Sequence, residues 1–137
     1  IDLVETFNYL IGLNVQHMGE KEYFNVEPDS KASYEGAVKL FPDNEGPFIF
    51  KTIEGTLRNG EKVLVIWRTM TGDIEKDNAA LDAYLKKKQI NTKDFEYDII
   101  YVNGDNNLQN LKLDEEHWKV VLIEEEFKKR MFDVRDV

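Results

Sequence analysis

The run Val63-Leu-Val-Ile-Trp67, flanked by Lys62 and Arg68, constrains the fold of this 137-residue chain more than any other stretch. It falls far short of the roughly 20 apolar residues that a membrane-spanning helix needs. Five consecutive apolar residues suit a strand buried on both faces. Thr71-Gly72-Asp73 breaks that strand, with Asp73 placed to accept from the first free N–H groups of a following helix. The spacing predicts a helix from about Ile74 to about Lys87, because Ile74, Leu81, Tyr84 and Leu85 share one stripe, with Ala79, Ala80 and Ala83 beside it. A strand and a crossover helix imply a second parallel strand, which Phe95 to Val102 supplies after the polar link Asn91-Thr92-Lys93-Asp94. The centre of the chain is therefore expected to be a βαβ unit.

Upstream, Asp2-Leu-Val-Glu5 has the form of a capping box with aspartate as the acceptor. Leu3, Val4, Phe7, Leu10 and Ile11 then make the apolar stripe of a short helix that Gly12 ends. Val15 to Met18 and Tyr23 to Val26 read as two weak strands separated by a turn at Gly19-Glu20-Lys21-Glu22. The segment from Glu27 to Gly46, which holds Pro28, Pro42, Asp43 and Asn44, reads mostly as loop, with only Ala37 to Phe41 able to pair. Asn59-Gly60 between Phe48–Leu57 and Glu61–Arg68 signals a hairpin, expected as a type I′ turn with positive φ at both residues. Downstream, Asn103-Gly104-Asp105-Asn106-Asn107 is a turn cluster, and the spacing of Leu108, Leu111 and Leu113 leaves helix and coil both open. Trp118 to Ile123 reads as a strand, and Glu124 to Phe132 as a helix with Phe127, Met131 and Phe132 inward. The expected fold is α/β: one domain over residues 1–137, with a mixed sheet, a central βαβ unit, an antiparallel hairpin at Asn59-Gly60 and helices at both termini.

Composition narrows the chemistry by subtraction. The chain has no cysteine, which removes disulfides, thiolate zinc sites and cysteine nucleophiles, and makes a reducing, cytoplasmic setting the simple expectation. No Gly-x-Gly occurs, so no dinucleotide or phosphate loop of the usual kind is encoded. His17 and His117 lie far apart, each without a His or Cys partner at ligand spacing, and Ser30 and Ser33 follow no nucleophile elbow. Glu126-Phe127-Lys128 has the Glu-x-Lys spacing of metal-dependent nucleases, but it falls on a predicted helix rather than a strand edge, and a solvated helix face is the simpler reading. The net charge of −9 repels a phosphate backbone. The basic triplets Lys86–Lys88 and Lys128–Arg130 fall at helix ends, where they oppose the negative pole of the helix dipole. No tyrosine or tryptophan alternates with lysine or arginine along a strand, as a single-strand stacking platform would need. No segment is apolar and long enough to suggest a membrane partner.

Three blocks carry a resemblance. Asp2-Leu-Val-Glu-Thr-Phe-Asn-Tyr-Leu-Ile-Gly-Leu13, then Lys62-Val-Leu-Val-Ile-Trp-Arg68 with Thr71-Gly72-Asp73, and finally Leu122-Ile-Glu-Glu-Glu-Phe-Lys-Lys-Arg-Met-Phe132, together resemble the C-terminal region of adenine-specific DNA methyltransferases. Among these, the chain is most similar to the modification (Mod) subunits of type III restriction-modification systems. The blocks come in the same order and span nearly the whole chain, with Glu27 to Gly46 the least familiar part. The resemblance implies a bacterial parent enzyme that moves a methyl group from S-adenosylmethionine to N6 of adenine, through an Asp-Pro-Pro-Tyr type active-site motif and a Phe-x-Gly-x-Gly type cofactor motif. Neither motif occurs here, since Pro28, Pro42 and Pro47 are isolated and no Gly-x-Gly exists. No catalytic, cofactor-binding or metal-binding residue therefore carries over, and the chain alone is expected to be inactive and to hold no cofactor.

What the resemblance implies instead is a scaffold or docking module, expected as the C-terminal fragment of a larger protein because Ile1 is not an initiator methionine and Asp2 opens a helix at once. Its implied partners are the remainder of the methyltransferase, a second Mod subunit and a restriction subunit, with DNA reached through the parent. Phe7, Tyr9, Phe127 and Phe132 on the terminal helices form the candidate docking surface. A competing reading makes the chain a stand-alone α/β enzyme or small-ligand binder, with its site at the carboxyl ends of the parallel strands. There Arg68, Thr69, Thr71, Asp73, Asn103, Asp105 and Asn106 would gather, although turns after strands contain such residues in any case.

Overall fold

The computed structural model describes residues 2–32, 34–90, 96–106, 108 and 118–135, with side chains as far as residue 131. Its centre is β5 (Lys62–Arg68), which pairs antiparallel with β4 (Phe48–Thr56) and parallel with β6 (Ile99–Val102). β7 (Lys119–Leu122) pairs in parallel beyond β6, while β2 (Glu22–Pro28) and β3 (Val38–Pro42) extend the sheet on the other side of β4. The order is β3-β2-β4-β5-β6-β7, with β1 (Asn14–Met18) paired to β4 beside β2. The fold is a mixed α/β sheet with helices at both termini, α1 (Leu3–Ile11) and α3 (Ile123–Arg135), and a crossover helix, α2 (Ile74–Lys87), between the parallel strands.

The apolar run in β5 is continuous because each face of the strand meets a different core. Leu64 and Ile66 join Phe50, Ile100, Leu81 and Tyr84 on the α2 side, and Val63 and Val65 join Phe7, Ile53, Tyr101 and Ile123 on the side of α1 and α3. Those four β5 residues are at most 2% exposed, and each fully buried aliphatic side chain contributes about 1.5–3 kcal/mol of transfer free energy. Ring packing orders both layers. Phe50 stacks on Tyr84 with centroids 4.2 Å apart, and Phe7 meets Trp67 and Tyr101 edge-on at 5.9 and 5.3 Å.

The helix ends follow the local chemistry. Asp2 accepts from the backbone N–H groups of Val4 and Glu5, Asp73 accepts from Lys76, and Gly12 closes α1 in the left-handed region at φ 69°. α2 ends without a glycine: Gln89 adopts φ 55° while Ile90 N–H reaches back to the Leu85 carbonyl. No helix among the described residues is long and apolar enough to cross a membrane.

Several expectations need correction. Gly19-Glu20-Lys21-Glu22 does not reverse the chain: β1 and β2 run the same way along β4, with Gly19 N–H bonded to the Thr52 carbonyl between them, so the break is an irregularity in one long edge. In the segment expected to be mostly loop, the patch able to pair, Ala37 to Phe41, does so as β3, which lies antiparallel to β2 and ends at Pro42 on the sheet edge, but β2 itself also runs on into this segment as far as Pro28. The hairpin at Asn59-Gly60 forms, but Gly60 alone has positive φ, at 88°. Gly60 N–H bonds to the Leu57 carbonyl and Leu57 N–H to the Glu61 carbonyl, a turn followed by a glycine bulge rather than type I′. Within the expected strand Phe95 to Val102, β6 itself runs from Ile99, and Asn91 to Phe95, Asn107, Leu111 and Leu113 lie outside the described residues.

Candidate functional site

The structure does bring the strand-end residues together, around Arg68. This side chain is 6% exposed, at the end of β5 where the chain turns toward α2. Its Nε donates to the Asn103 carbonyl at 2.9 Å, Nη1 to the Asp77 carbonyl and the Asn78 Oδ1, and Nη2 to the carbonyls of Gly104 and Asp105. Asn103 fastens the same point from β6, its Oδ1 accepting from Arg68 N–H and its Nδ2 donating to the Arg68 carbonyl, both at 2.8 Å. Burial lowers the pKa of the guanidinium, and the neighbouring carboxylates of Asp77 and then Glu124 oppose that shift.

Most of the remaining polar groups there are also engaged. Asp77, 1% exposed, accepts from Thr71 N–H at 3.0 Å and from the Thr71 hydroxyl at 2.7 Å. Asp73 is spent as the cap of α2, Thr69 bridges Ile49 N–H and the Pro47 carbonyl, and Asn106 closes its own loop on Gly104 and Leu108. Asp105 enters through its backbone carbonyl. Glu124 in the first turn of α3 accepts from Gly104 N–H with both carboxylate oxygens. All five N–H donors of Arg68 are used inside the chain, so Arg68, Thr71, Asp73, Asn103 and the Asp105 carbonyl form a knot that ties the ends of β5 and β6 to the start of α2 and leaves the guanidinium closed to a ligand.

The docking candidates separate. Phe7 is wholly buried in the core beneath α1, which follows from its place on the inward stripe and removes it from any outer surface. Phe127 packs against that core, with its ring 5.6 Å from Phe7. Tyr9 is 86% exposed, and the Phe132 side chain lies outside the described residues. Met131, expected inward, is instead exposed on α3, and Leu3 is a further exposed apolar residue on α1. Glu126 is an α3 residue whose carboxylate takes Arg130 Nε at 2.8 Å, one turn on, so the Glu-x-Lys spacing meets no strand edge. His17 is exposed on β1, and His117 lies outside the described residues. Among the described residues no group of three or more His, Asp or Glu is placed to hold a metal.

Sequence reasoning missed a cleft between the β1–β2 junction and the end of α2. It encloses about 490 Å³ and is lined by Glu22, Glu54, Tyr84, Lys88 and Tyr97 among others. The Tyr84 hydroxyl donates to Glu22 at 2.9 Å, Lys88 Nζ lies 2.5 Å from the same carboxylate, and the Tyr97 hydroxyl donates to Glu54. Burial, and then the accepting carboxylate, raise the pKa of both phenols. The available signal was the alternation in β2 and β4, which puts Glu22 and Glu54 on the face that Phe24, Phe48 and Phe50 turn toward α2. No family model, curated protein or solved structure matches the chain.

Proposed function

We propose that this chain is a non-catalytic C-terminal docking module of an adenine-N6 DNA methyltransferase of the type III modification kind. The parent would use S-adenosylmethionine, and the module would connect its catalytic part to a second Mod subunit or to a restriction subunit. The observation that carries this reading is the closure of the Arg68 knot: at the position where an open α/β sheet most readily builds a site, the buried guanidinium spends all five donors on the chain itself. The placement of the resembling blocks supports it further. They form α1, the central strand with the cap of α2, and the last strand with α3, all of them parts of the frame.

Within this reading the contact surface lies on the outer side of the terminal helices, at Tyr9 with Leu3 and Met131. Phe7 supports that surface from below. Two measurements test the assignment. Calorimetric titration of the chain with S-adenosylmethionine should give no saturable heat, and micromolar binding would overturn the non-catalytic reading. Tyr9→Asp in the longer protein should weaken subunit assembly while the fold, read by its melting temperature, is kept; unchanged assembly would remove this surface. Fluorescence anisotropy should show duplex DNA binding no tighter than the weak non-specific range of about 10⁻⁴ M at physiological salt, given the net charge of −9.

A further inference from the structure

We propose that the cleft between the β1–β2 junction and the end of α2 binds an alkylammonium group on the carboxylate of Glu54. The cleft contains two carboxylate–phenol pairs of the same construction. In the first, Glu22 accepts from the Tyr84 hydroxyl at 2.9 Å and carries the Lys88 ammonium at 2.5 Å. The chain's own lysine thus displays the contact that such a pair makes with a primary ammonium. In the second, Glu54 accepts from the Tyr97 hydroxyl, and no cation among the described residues pairs with it. Glu20 and Glu96 also line the cleft, against His17 and Lys88 as the balancing groups among the described residues.

The surrounding chemistry selects the ligand. Tyr84 and Tyr97 are 0% and 8% exposed and stay protonated because burial and their carboxylate neighbours raise their pKa values, so each can only hold its carboxylate in place as a donor. Leu64 and Ile90 supply an apolar wall along which an alkyl chain can lie. A divalent metal would need several oxygen ligands converging on one point, and the described residues hold no group of three or more metal-binding side chains. A compact ammonium with three donors needs one carboxylate and a polar neighbour. Its source is either a free aliphatic amine or the lysine side chain of a partner segment.

Titration of the whole chain by ¹H–¹⁵N NMR tests this, with 1,5-diaminopentane as one probe and a capped Ala-Lys-Ala peptide as the other. The wild type should show saturable shifts centred on Thr52, Glu54 and Tyr97; tighter binding of the diamine assigns a free amine, and tighter binding of the peptide assigns a partner lysine. Glu54→Gln keeps an acceptor for Tyr97 and should weaken binding about ten-fold or more, the scale of one charge-assisted hydrogen bond. Lys88→Ala vacates Glu22 and should add a second binding equivalent. Absence of saturable shifts with either probe overturns the proposal, and so does equal affinity of the wild type and a Glu54→Gln variant with an unaltered melting curve.

Discussion

Replacing Arg68 by lysine keeps the charge at the end of β5 and removes the planar fork that reads five acceptors. Those acceptors are the carbonyls of Asp77, Asn103, Gly104 and Asp105 and the Asn78 side chain, at 2.9 to 3.2 Å. A lysine ammonium has three donors at one point, so at least two acceptors lose their partner. An unsatisfied buried acceptor costs about 1–3 kcal/mol. The bonds to Gly104 and Asp105 are only part-buried, so water can replace some of them, and the lower end of that range applies. The expected loss is about 2–3 kcal/mol, or a fall in melting temperature of roughly 8–10 °C for a domain of this size. Arg68→Met abandons all five acceptors and leaves buried Asp77 without its counter-charge, with an expected loss of about 4–5 kcal/mol. Urea unfolding followed by the fluorescence of Trp67 and Trp118 measures both, with an unchanged slope as the check that the unfolded state is the same. A lysine variant within about 0.5 kcal/mol of the wild type would refute the claim that the knot holds the strand ends.

Gly60→Val should cost at least about 1–2 kcal/mol through backbone strain alone, because φ is 88° and nothing lies within 4 Å of the position a Cβ would take. Gly60→Asn should cost less than the valine variant, and equal melting temperatures for the two would contradict the bulged turn. Gly55→Ala should detach β1, since the new methyl would run into the Asn14 backbone; the amide-exchange protection of residues 14–18 reads this, and unchanged protection would refute the close approach. Tyr101 has a pKa raised to about 12, mainly by burial, and Tyr84 and Tyr97 are raised further. A phenol with a raised folded pKa stabilises fully below its unfolded value of about 10 and loses that contribution as pH climbs through the folded value. Melting temperature should therefore decline from about pH 10 toward pH 12, and a flat profile over that window would contradict the burial of these hydroxyls.

The parts of the fold legible in the sequence were those in which one local pattern has one physical outcome. The run through Val63 to Trp67 demanded burial on both faces, Asp2 and Asp73 marked helix starts, and both caps and the βαβ unit stand where that reasoning put them. The antiparallel edge was less legible. β1 is exposed at all five positions, so no burial pattern distinguished a bent edge strand from half of a hairpin. The strand-end residues Arg68 and Asn103 were singled out correctly as neighbours, but their role was not visible, because sequence shows donors and acceptors without showing that they satisfy one another. Phe7 and Tyr9 illustrate the same limit on a helix: two aromatic residues two positions apart face opposite environments, 0% against 86% exposed. The cleft escaped notice because Glu22, Glu54, Lys88 and Tyr97 come from four separate segments that only the sheet register and α2 assemble.

The proposal that this α/β unit belongs to a methyltransferase without performing its chemistry is tested most directly by the reading frame that encodes Ile1. Sequencing the genomic DNA upstream should reveal a continuous frame carrying an Asp-Pro-Pro-Tyr type motif and a Phe-x-Gly-x-Gly type motif. A start codon immediately before Ile1, with neither motif in frame, would contradict the account.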